Sequence, residues 1–318
     1  RRHAAHRYPV AAAQPAAAPE PGSAGIKHPQ PPKPTPHGKL VQLPGRAGCI
    51  VAASAAKKAP TCARARALDG PGVGFGSHAI AVSPDGRSVY VAASGSNAIA
   101  VFARDPKGGA LQQPGGKAGC VAAGAEHGCG EAIGLIGPNS VAVSPDGRYV
   151  YATAREGASL TSFHRNRKTG ALTQLPPPSS GCISGLGIPG CVAGRALEGP
   201  DVVALSRDGR SVYVGSFSGN AVASFARNPQ SGAVTQLEGT AGCIAEAIAG
   251  CATGTQLGAV EGLAVSPNGS AVYAAAATSN AVAVLGRDPA TGALGQAVNG
   301  TGCVTDAEVA GCEAGNQL

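Results

Sequence analysis

Methionine and tryptophan are absent from this 318-residue sequence, and aromatic side chains are scarce, with six tyrosines and five phenylalanines. So few bulky side chains argue against a helical bundle, whereas the abundant alanine and valine suit closely stacked strands. No run of about 18 apolar residues occurs, so we predict no transmembrane segment. Because 43% of the residues are nevertheless apolar, the chain can bury a core.

A strong charge imbalance is also missing from most of the chain, although the formal net charge is +7. Residues 1–38 hold five basic side chains and one acidic side chain, whereas the rest of the chain carries 20 basic and 17 acidic ones. The sequence has no stripe of basic residues, and no set of aromatic side chains is interleaved with its basic residues. This balance excludes a nucleic-acid partner.

Residues 1–38 contain nine prolines scattered among alanines. Such a segment cannot bury a core, so we predict a disordered, extended Pro/Ala-rich linker. A spacer of this kind is compatible with a wall or membrane anchor outside this chain.

A repeat organises the remainder of the chain. The motif Ser-Pro-Asp-Gly, or a close variant, begins at Ser83, Ser144, Ser206 and Ser266, at intervals of 61, 62 and 60 residues. A tyrosine follows each serine after 7 residues, an arginine after 21 and a glycine after 26. Each copy predicts four short strands, for example 79–82, 88–92 and 98–103 in the first copy and 171–175 as the fourth strand of the second. Four-stranded antiparallel meanders at a fixed period are typical of β-propeller blades.

The repeat therefore predicts an all-β propeller with four full blades. We place them at about 78–138, 139–199, 200–259 and 260–318, after a blade remnant at 39–77. The remnant matches only the end of a blade, and the last copy stops where a new blade should begin. Because closure requires the first and last blades to meet, we expect the ring to be incomplete in this chain and to have six to eight blades in all.

Two stretches of the repeat resemble a known family. The run Ile80-Ala-Val-Ser-Pro-Asp-Gly-Arg-Ser-Val-Tyr-Val resembles the YVTN-type repeat of bacterial β-propellers. The run Arg-Asp-Pro-x-Thr-Gly-Ala-Leu at 287–294 is similar to the hairpin between the third and fourth strands of lactonase-like (6-phosphogluconolactonase-like) propellers. The resemblance extends over residues 39–318 and implies the propeller architecture. It implies lactone hydrolysis less directly, because the shared motif is a folding element.

Cysteines occur as one pair per repeat after the fourth strand, with one further pair ahead of them. An even count, phased with the repeat and bounding short loops, predicts five disulfides: Cys49–Cys62, Cys120–Cys129, Cys182–Cys191, Cys243–Cys251 and Cys303–Cys312. Zinc binding is the alternative, but it fits poorly because there is no CxxC spacing and no phased histidine. Disulfides need an oxidising compartment, so we predict a secreted protein, extracellular or displayed on the cell surface.

One position is polar in every copy yet different in each. Five residues before the motif serines stand His78, Asn139, Asp201 and Glu261. We expect these side chains to converge at the mouth of the central channel and to bind a substrate or a divalent cation such as calcium. A carboxylate-and-amide metal site at a comparable location in gluconolactonase-type propellers supports this by analogy. The alternative is a water-filled channel lip whose polar groups cap strand ends.

No catalytic motif accompanies these residues, since the sequence has no G-x-S-x-G elbow and no glycine-rich phosphate loop. The four repeated arginines adjoin a hairpin turn, where we expect them to pack or pair locally. The leading hypothesis is a disulfide-stapled binding or scaffold module for a protein or carbohydrate ligand. The alternative is a lactonase-like hydrolase with a polar or metal site at the channel mouth.

Overall fold

The computed structural model describes residues 42–70, 78–124, 126–177, 181–297, 301–306 and 309–315, so the predicted linker at 1–38 lies outside the described residues. The described part is all-β. Its helical elements are six short 3₁₀ turns at Gly45–Ala47, Ala53–Ala55, Ser94–Ser96, Gly116–Gly119, Glu126–Gly128 and Gly239–Gly242. Within these ranges no helix has the length and apolar character needed to cross a membrane.

The strands form one small sheet and four larger ones. In the leading sheet, β1 (Ile50–Ala52) runs parallel to β2 (Ala63–Ala65). Blade 1 consists of β3 (Ile80–Val82), β4 (Ser88–Ala93), β5 (Ala98–Arg104), β6 (Leu111–Gln112), β7 (Cys120–Ala123) and β8 (Gly130–Ala132). Blade 2 consists of β9 (Pro138–Val143), β10 (Tyr149–Ala154), β11 (Ser159–Arg165), β12 (Leu172–Gln174), β13 (Cys182–Ser184) and β14 (Val192–Ala193).

Blades 3 and 4 repeat this order. Blade 3 consists of β15 (Pro200–Leu205), β16 (Ser211–Ser216), β17 (Ala221–Arg227), β18 (Val234–Gln236), β19 (Cys243–Ala245) and β20 (Ala252–Thr253). Blade 4 consists of β21 (Val260–Val265), β22 (Ala271–Ala276), β23 (Ala281–Arg287), β24 (Leu294–Gln296), β25 (Cys303–Thr305) and β26 (Glu313–Ala314). The blades therefore follow the four predicted repeats.

Each blade has two more strands than the sequence predicted. The first three strands form an antiparallel meander, as expected. The outer edge of the third strand is shared: β6 pairs with one end of β5, and β7 pairs with the other end. The sixth strand, β8, then lies parallel to β7. The prediction of a four-stranded blade was incomplete because the loop between β6 and β7 returns the chain to the same edge of β5.

All ten cysteines form the five predicted disulfides, with Cα–Cα distances of 4.7 to 4.9 Å. In each of the four blades the bond joins the first residue of the cysteine-bearing strand to the residue before its parallel partner, whereas Cys49 and Cys62 directly precede β1 and β2. In blade 1, for example, Cys120 begins β7 and Cys129 directly precedes β8. Disulfides persist in oxidising compartments, so the protein is non-cytoplasmic.

Neighbouring blades stack face to face over apolar side chains. Tyr90, Ile99 and Val101 of blade 1, for example, pack against Val150 and Phe163 of blade 2. The first strands β3, β9, β15 and β21 lie beside one another in succession and form the inner surface. We call the face of a blade that meets the preceding blade its front face, and the opposite one its back face.

Three of the four repeated arginines bridge neighbouring blades, so the expectation that they pair locally was incomplete: each also donates Nη1 to a glycine carbonyl oxygen of its own blade. Arg227 of blade 3 donates Nε–H to the Tyr151 hydroxyl of blade 2 at 2.6 Å, and Nη2 to Asp146 Oδ2 at 2.9 Å. Tyr151 in turn donates its hydroxyl proton to the carbonyl oxygen of Gly232 at 2.7 Å. Gly232 has a φ of +75°, which favours glycine.

The same contacts recur at the other two junctions. Arg165 binds Tyr90 and Asp85, and Arg287 binds Tyr213 and Asp208. The three arginines are buried, because the stacked blades cover a side chain that would be exposed at the edge of a single blade. The serine, aspartate, tyrosine, arginine and glycine of the repeat are therefore one structural unit shared between two blades.

Candidate functional site

Three of the four predicted site residues are bulged residues of the inner strands. Asn139, Asp201 and Glu261 are each the second residue of the first strand in blades 2, 3 and 4. In each case the register with the second strand skips this residue. A bulge turns a side chain out of the regular alternation, and bulges are frequent beside active sites. The bulges therefore explain why this one position can vary within a repeated scaffold.

Asn139 and Asp201 are buried and in contact across the junction between blades 2 and 3. The Asn139 side-chain amide donates to Asp201 Oδ1 at 2.6 Å and to the Asp201 carbonyl oxygen at 3.2 Å. Thr153 Oγ1 donates to Asn139 Oδ1 at 3.2 Å, which fixes the orientation of the amide. The structure thus brings two of the predicted residues together in one hydrogen-bonded group.

Arg155 completes this group and was not foreseen from the sequence. Its Nη1 lies 3.1 Å from Asp201 Oδ1, and its side chain remains partly exposed. The guanidinium carbon lies 4.3 Å from the centroid of the Phe217 ring, a cation–π contact. A positive charge is therefore held at the inner surface, with one edge open to solvent.

Asp201 is the electrostatically unusual residue of the site. Its pKa is raised to about 6, chiefly by burial and in smaller part by the carboxylate of Glu261. The charge of Arg155 and the hydrogen bond from Asn139 act in the opposite direction. Its second oxygen, Oδ2, is buried without a hydrogen-bond partner among the described residues. An unpaired buried carboxylate oxygen is costly, and a shifted carboxyl of this kind indicates a functional site.

The other two predicted residues are less closely involved. Glu261 is partly buried and lines a cavity of about 280 Å³ beside the first three strands of blade 4. His78 is exposed just before β3, and its carbonyl oxygen accepts a hydrogen bond from the Val141 amide at 3.0 Å. In the described residues the structure shows no hydrogen bond from the His78 imidazole to the other three side chains.

The geometry does not fit the predicted calcium site. No group of three or more His, Cys, Asp or Glu side chains is placed to hold a metal ion within the described part of the chain. Calcium takes six to eight oxygen ligands. Here the Arg155 guanidinium lies against Asp201 Oδ1, where a second cation would be repelled. The arrangement instead offers one carboxylate oxygen and one guanidinium.

Two repeat positions that were not predicted as functional can be recognised in the sequence, one because it varies between copies and one because it does not. Arg155 and Phe217 both stand 11 residues after a motif serine, where the other copies have Ser94 and Ala277. This is a second variable position in the repeat, and it could have been found in the same way as the first. A glutamine 30 residues after each serine is invariant, and it joins adjacent blades by paired backbone hydrogen bonds, as Gln236 does with Arg195.

Comparison with known proteins places the repeat in context. Residues 61–183 match the family described as "Lactonase, 7-bladed beta-propeller". The repeat is lactonase-like. No curated protein matches the chain at a significant level.

Solved structures share the fold of this lactonase-like chain. A protein of Bacteroides fragilis described as a candidate 6-phosphogluconolactonase is 20% identical over 69% of this chain and 52% of its own, with a TM-score of 0.50. The periplasmic gluconolactonase of Pseudomonas aeruginosa is 23% identical over 69% of this chain and 52% of its own, with a TM-score of 0.48. The chain spans about half the length of these structures.

Proposed function

We propose that this secreted, lactonase-like propeller hydrolyses a lactone, with Asp201 as the general base. The binding scaffold that the sequence favoured gains no support from the comparisons, whereas the alternative of a lactone hydrolase does. The observation that carries the proposal is Asp201 Oδ2, which has no hydrogen-bond partner in the described part of the chain and belongs to a carboxyl whose pKa is raised to about 6. A base of this pKa is mostly ionised at neutral pH and still accepts a proton readily.

In this reaction Asp201 Oδ2 accepts a proton from the attacking water molecule, which reaches this buried oxygen when the inner surface opens locally. As the water oxygen bonds to the lactone carbonyl carbon, its proton passes to Oδ2, and negative charge develops on the carbonyl oxygen. The partly exposed guanidinium of Arg155 is placed to stabilise that charge. The carbon–oxygen bond of the ring then breaks, and the ring oxygen takes the proton from Asp201. The product is a hydroxy acid.

Asn139 and Thr153 act as positioning residues in this scheme. The chain of hydrogen bonds from Thr153 through Asn139 to Asp201 Oδ1 orients the carboxylate, so that Oδ2 is the oxygen left for water. Metal binding is not needed for any of these steps. The substrates to test first are sugar lactones, because the related structures are described as gluconolactonases.

The experiment measures acid release from a panel of γ- and δ-lactones, including gluconolactone and 6-phosphogluconolactone, after subtraction of spontaneous hydrolysis. Asp201→Asn should lower kcat by about 100-fold or more, the usual contribution of a general base. The matched control is Asp306→Asn, which alters an exposed aspartate in the Cys303–Cys312 loop. EDTA should have no effect, and kcat/KM should rise with pH through about 6.

Two results would contradict the proposal. The first is an Asp201→Asn protein that is as active as the Asp306→Asn control. The second is a wild-type chain that hydrolyses no lactone above the spontaneous rate. The second result would favour the binding module with a protein or carbohydrate ligand that the sequence suggested.

A further inference from the structure

The clefts between neighbouring blades differ at the end where the third strand of each blade turns into its hairpin. Between blades 2 and 3 the Tyr149 ring fills the cleft and is 6% exposed. Its hydroxyl donates to the Gln230 carbonyl oxygen of the blade 3 hairpin, and the His164 ring packs edge-on against it at 5.8 Å between centroids. Between blades 3 and 4 the same pair of strand positions holds Ser211 and Ala226. Two small side chains therefore stand where blade 2 carries two rings.

A cavity of about 380 Å³ lies in the cleft between blades 3 and 4. Its lining includes Arg210, Ser211 and Ala226 of blade 3 and Arg287, Pro289 and Ala290 of blade 4. The Ser211 hydroxyl accepts a hydrogen bond from Arg287 Nη2 at 3.0 Å, so the serine is bound to the arginine and not to the hairpin. Because a cavity of about 150 Å³ is enough to hold a benzene ring, this one has room for a substituted aromatic ring.

The polar groups around this cavity lack the contacts that their equivalents make. In the filled cleft, Arg148 Nη2 donates to the Pro229 carbonyl oxygen at 2.5 Å. Its equivalent Arg210 makes one hydrogen bond to the described residues, and that bond comes from the backbone amide. The carbonyl oxygens of Pro289 and Ala290, at the tip of the blade 4 hairpin, accept no hydrogen bond from the part of the chain that the structure describes. The cavity thus offers a guanidinium donor and two carbonyl acceptors to a ligand.

The filled cleft also shows how a ring is held there. The guanidinium carbons of Arg148 and Arg227 lie 5.7 and 5.2 Å from the centroid of the Tyr149 ring. In the open cleft, Arg210 and Arg287 occupy the equivalent positions of the repeat. A guanidinium is attracted to the face of an aromatic ring. The open cleft is therefore suited to an aromatic ring that carries a hydroxyl group.

We propose that the cleft between blades 3 and 4 binds a small phenol whose para position is unsubstituted. Its ring lies against Arg210 and Arg287, and its hydroxyl donates to the Ala290 carbonyl oxygen. The para carbon corresponds to the carbon that joins the Tyr149 ring to its own chain, so in the open cleft it faces Ser211. A para substituent has no room at that place, which excludes the tyrosine side chain of a peptide. A meta substituent can point to solvent.

This cleft is separate from the proposed lactone site. Ser211 is the first residue of β16, at the end of the strand that adjoins the cleft. Asp201 lies beside the opposite end of β16, where Pro200 pairs with Ser216. Phenol binding therefore does not depend on lactone hydrolysis, and each can be tested without the other.

The test titrates the isotope-labelled protein with m-cresol, p-cresol and toluene and follows the backbone amide resonances of 210–211 and 290–292. For m-cresol we expect saturable shifts with half-saturation on the order of 1 mM, given the size of the ligand. Toluene should bind about fivefold more weakly or worse, because it cannot donate a hydrogen bond. The para methyl group of p-cresol should weaken binding at least as much. Ser211→Tyr should abolish the saturable shifts and raise the melting temperature, because the new ring fills the cleft.

Two variants serve as matched controls. Ser88→Tyr changes the equivalent serine of blade 1, whose hydroxyl also binds an arginine, and it should leave the m-cresol shifts at 290–292 unchanged. Tyr149→Ser should open the cleft between blades 2 and 3 and add m-cresol shifts at 230–232. The proposal would be overturned by shifts at 290–292 that persist in Ser211→Tyr, or by a wild-type chain without saturable shifts well above the expected half-saturation. Equal binding of p-cresol and m-cresol would also overturn it, because a peptide tyrosine would then fit.

Discussion

Replacing Asp201 with asparagine should stabilise the protein at neutral pH, by an amount that depends on pH in a defined way. Asparagine keeps an oxygen that can accept the hydrogen bonds from Asn139 and Arg155, but it has no charge to desolvate. The pKa of Asp201 is raised from 3.8 to about 6 in the folded protein. The unfolded chain therefore ionises first, and ionisation works against folding.

The magnitude follows from the two pKa values. Because the folded-state pKa is the higher one, the carboxyl adds no penalty well below pH 4, and it destabilises progressively as pH rises to about 6. A shift of about two units corresponds to at most about 3 kcal/mol at pH 7 and above. The same calculation gives about 1.5 kcal/mol at pH 5 and about 0.5 kcal/mol at pH 4.

Urea unfolding at pH 4, 5, 6, 7 and 8 measures this difference directly, with Asp306→Asn as the control for loss of an exposed carboxylate. The difference between wild type and Asp201→Asn should grow from pH 4 to pH 7 and then level off. A difference that is constant across this range would refute the reasoning, since it would mean that the pKa of Asp201 is not raised. A stabilised variant that no longer hydrolyses lactones would show that the carboxylate is kept for activity.

Two further predictions concern the junctions and the disulfides. Arg227→Ala should lower the free energy of unfolding by about 3 kcal/mol, because it removes the guanidinium that binds Asp146 and Tyr151. Arg104→Ala should cost about 1 kcal/mol, since its side chain makes one hydrogen bond to the described residues. Equal losses in urea unfolding would contradict this difference. Replacing both Cys182 and Cys191 with alanine should cost at most about 3 kcal/mol, given the sequence separation of 9 residues. Thermal unfolding would measure it, and retention of the wild-type melting temperature would count against a stabilising role for this bond.

The sequence predicted the features that recur, because a recurring residue has the same surroundings in each copy. The strand positions, the turns and the cysteine pairs follow from the repeat in this way. The partners of Arg227 were missed because they lie about 80 residues earlier in the chain, in another blade. A repeat shows that a residue is needed at a position, but it does not show whether its contacts lie within one copy or between two.

The candidate site was predictable only in part, because its residues differ from one copy of the repeat to the next. Asn139 and Asp201 stood out because they vary where the rest repeats, yet nothing in the sequence indicated the bulges that turn them toward each other. The charge of Arg155 beside Asp201 depends on the alignment of two neighbouring blades. The carboxylates and the amide made calcium a reasonable expectation, but the sequence did not show that an arginine lies beside Asp201.

The three junctions between blades use the same kinds of side chain, and this affects how the blades stack in the correct order during folding. The back face of blade 1 offers Tyr90 and Asp85, and the arginines of blades 2, 3 and 4 would all suit them. The junctions therefore do not discriminate between a correct neighbour and a blade further along the chain. Only five residues separate β8, which ends at Ala132, from β9, which starts at Pro138. This short tether, rather than any selectivity of the contact, keeps a blade from being skipped during folding.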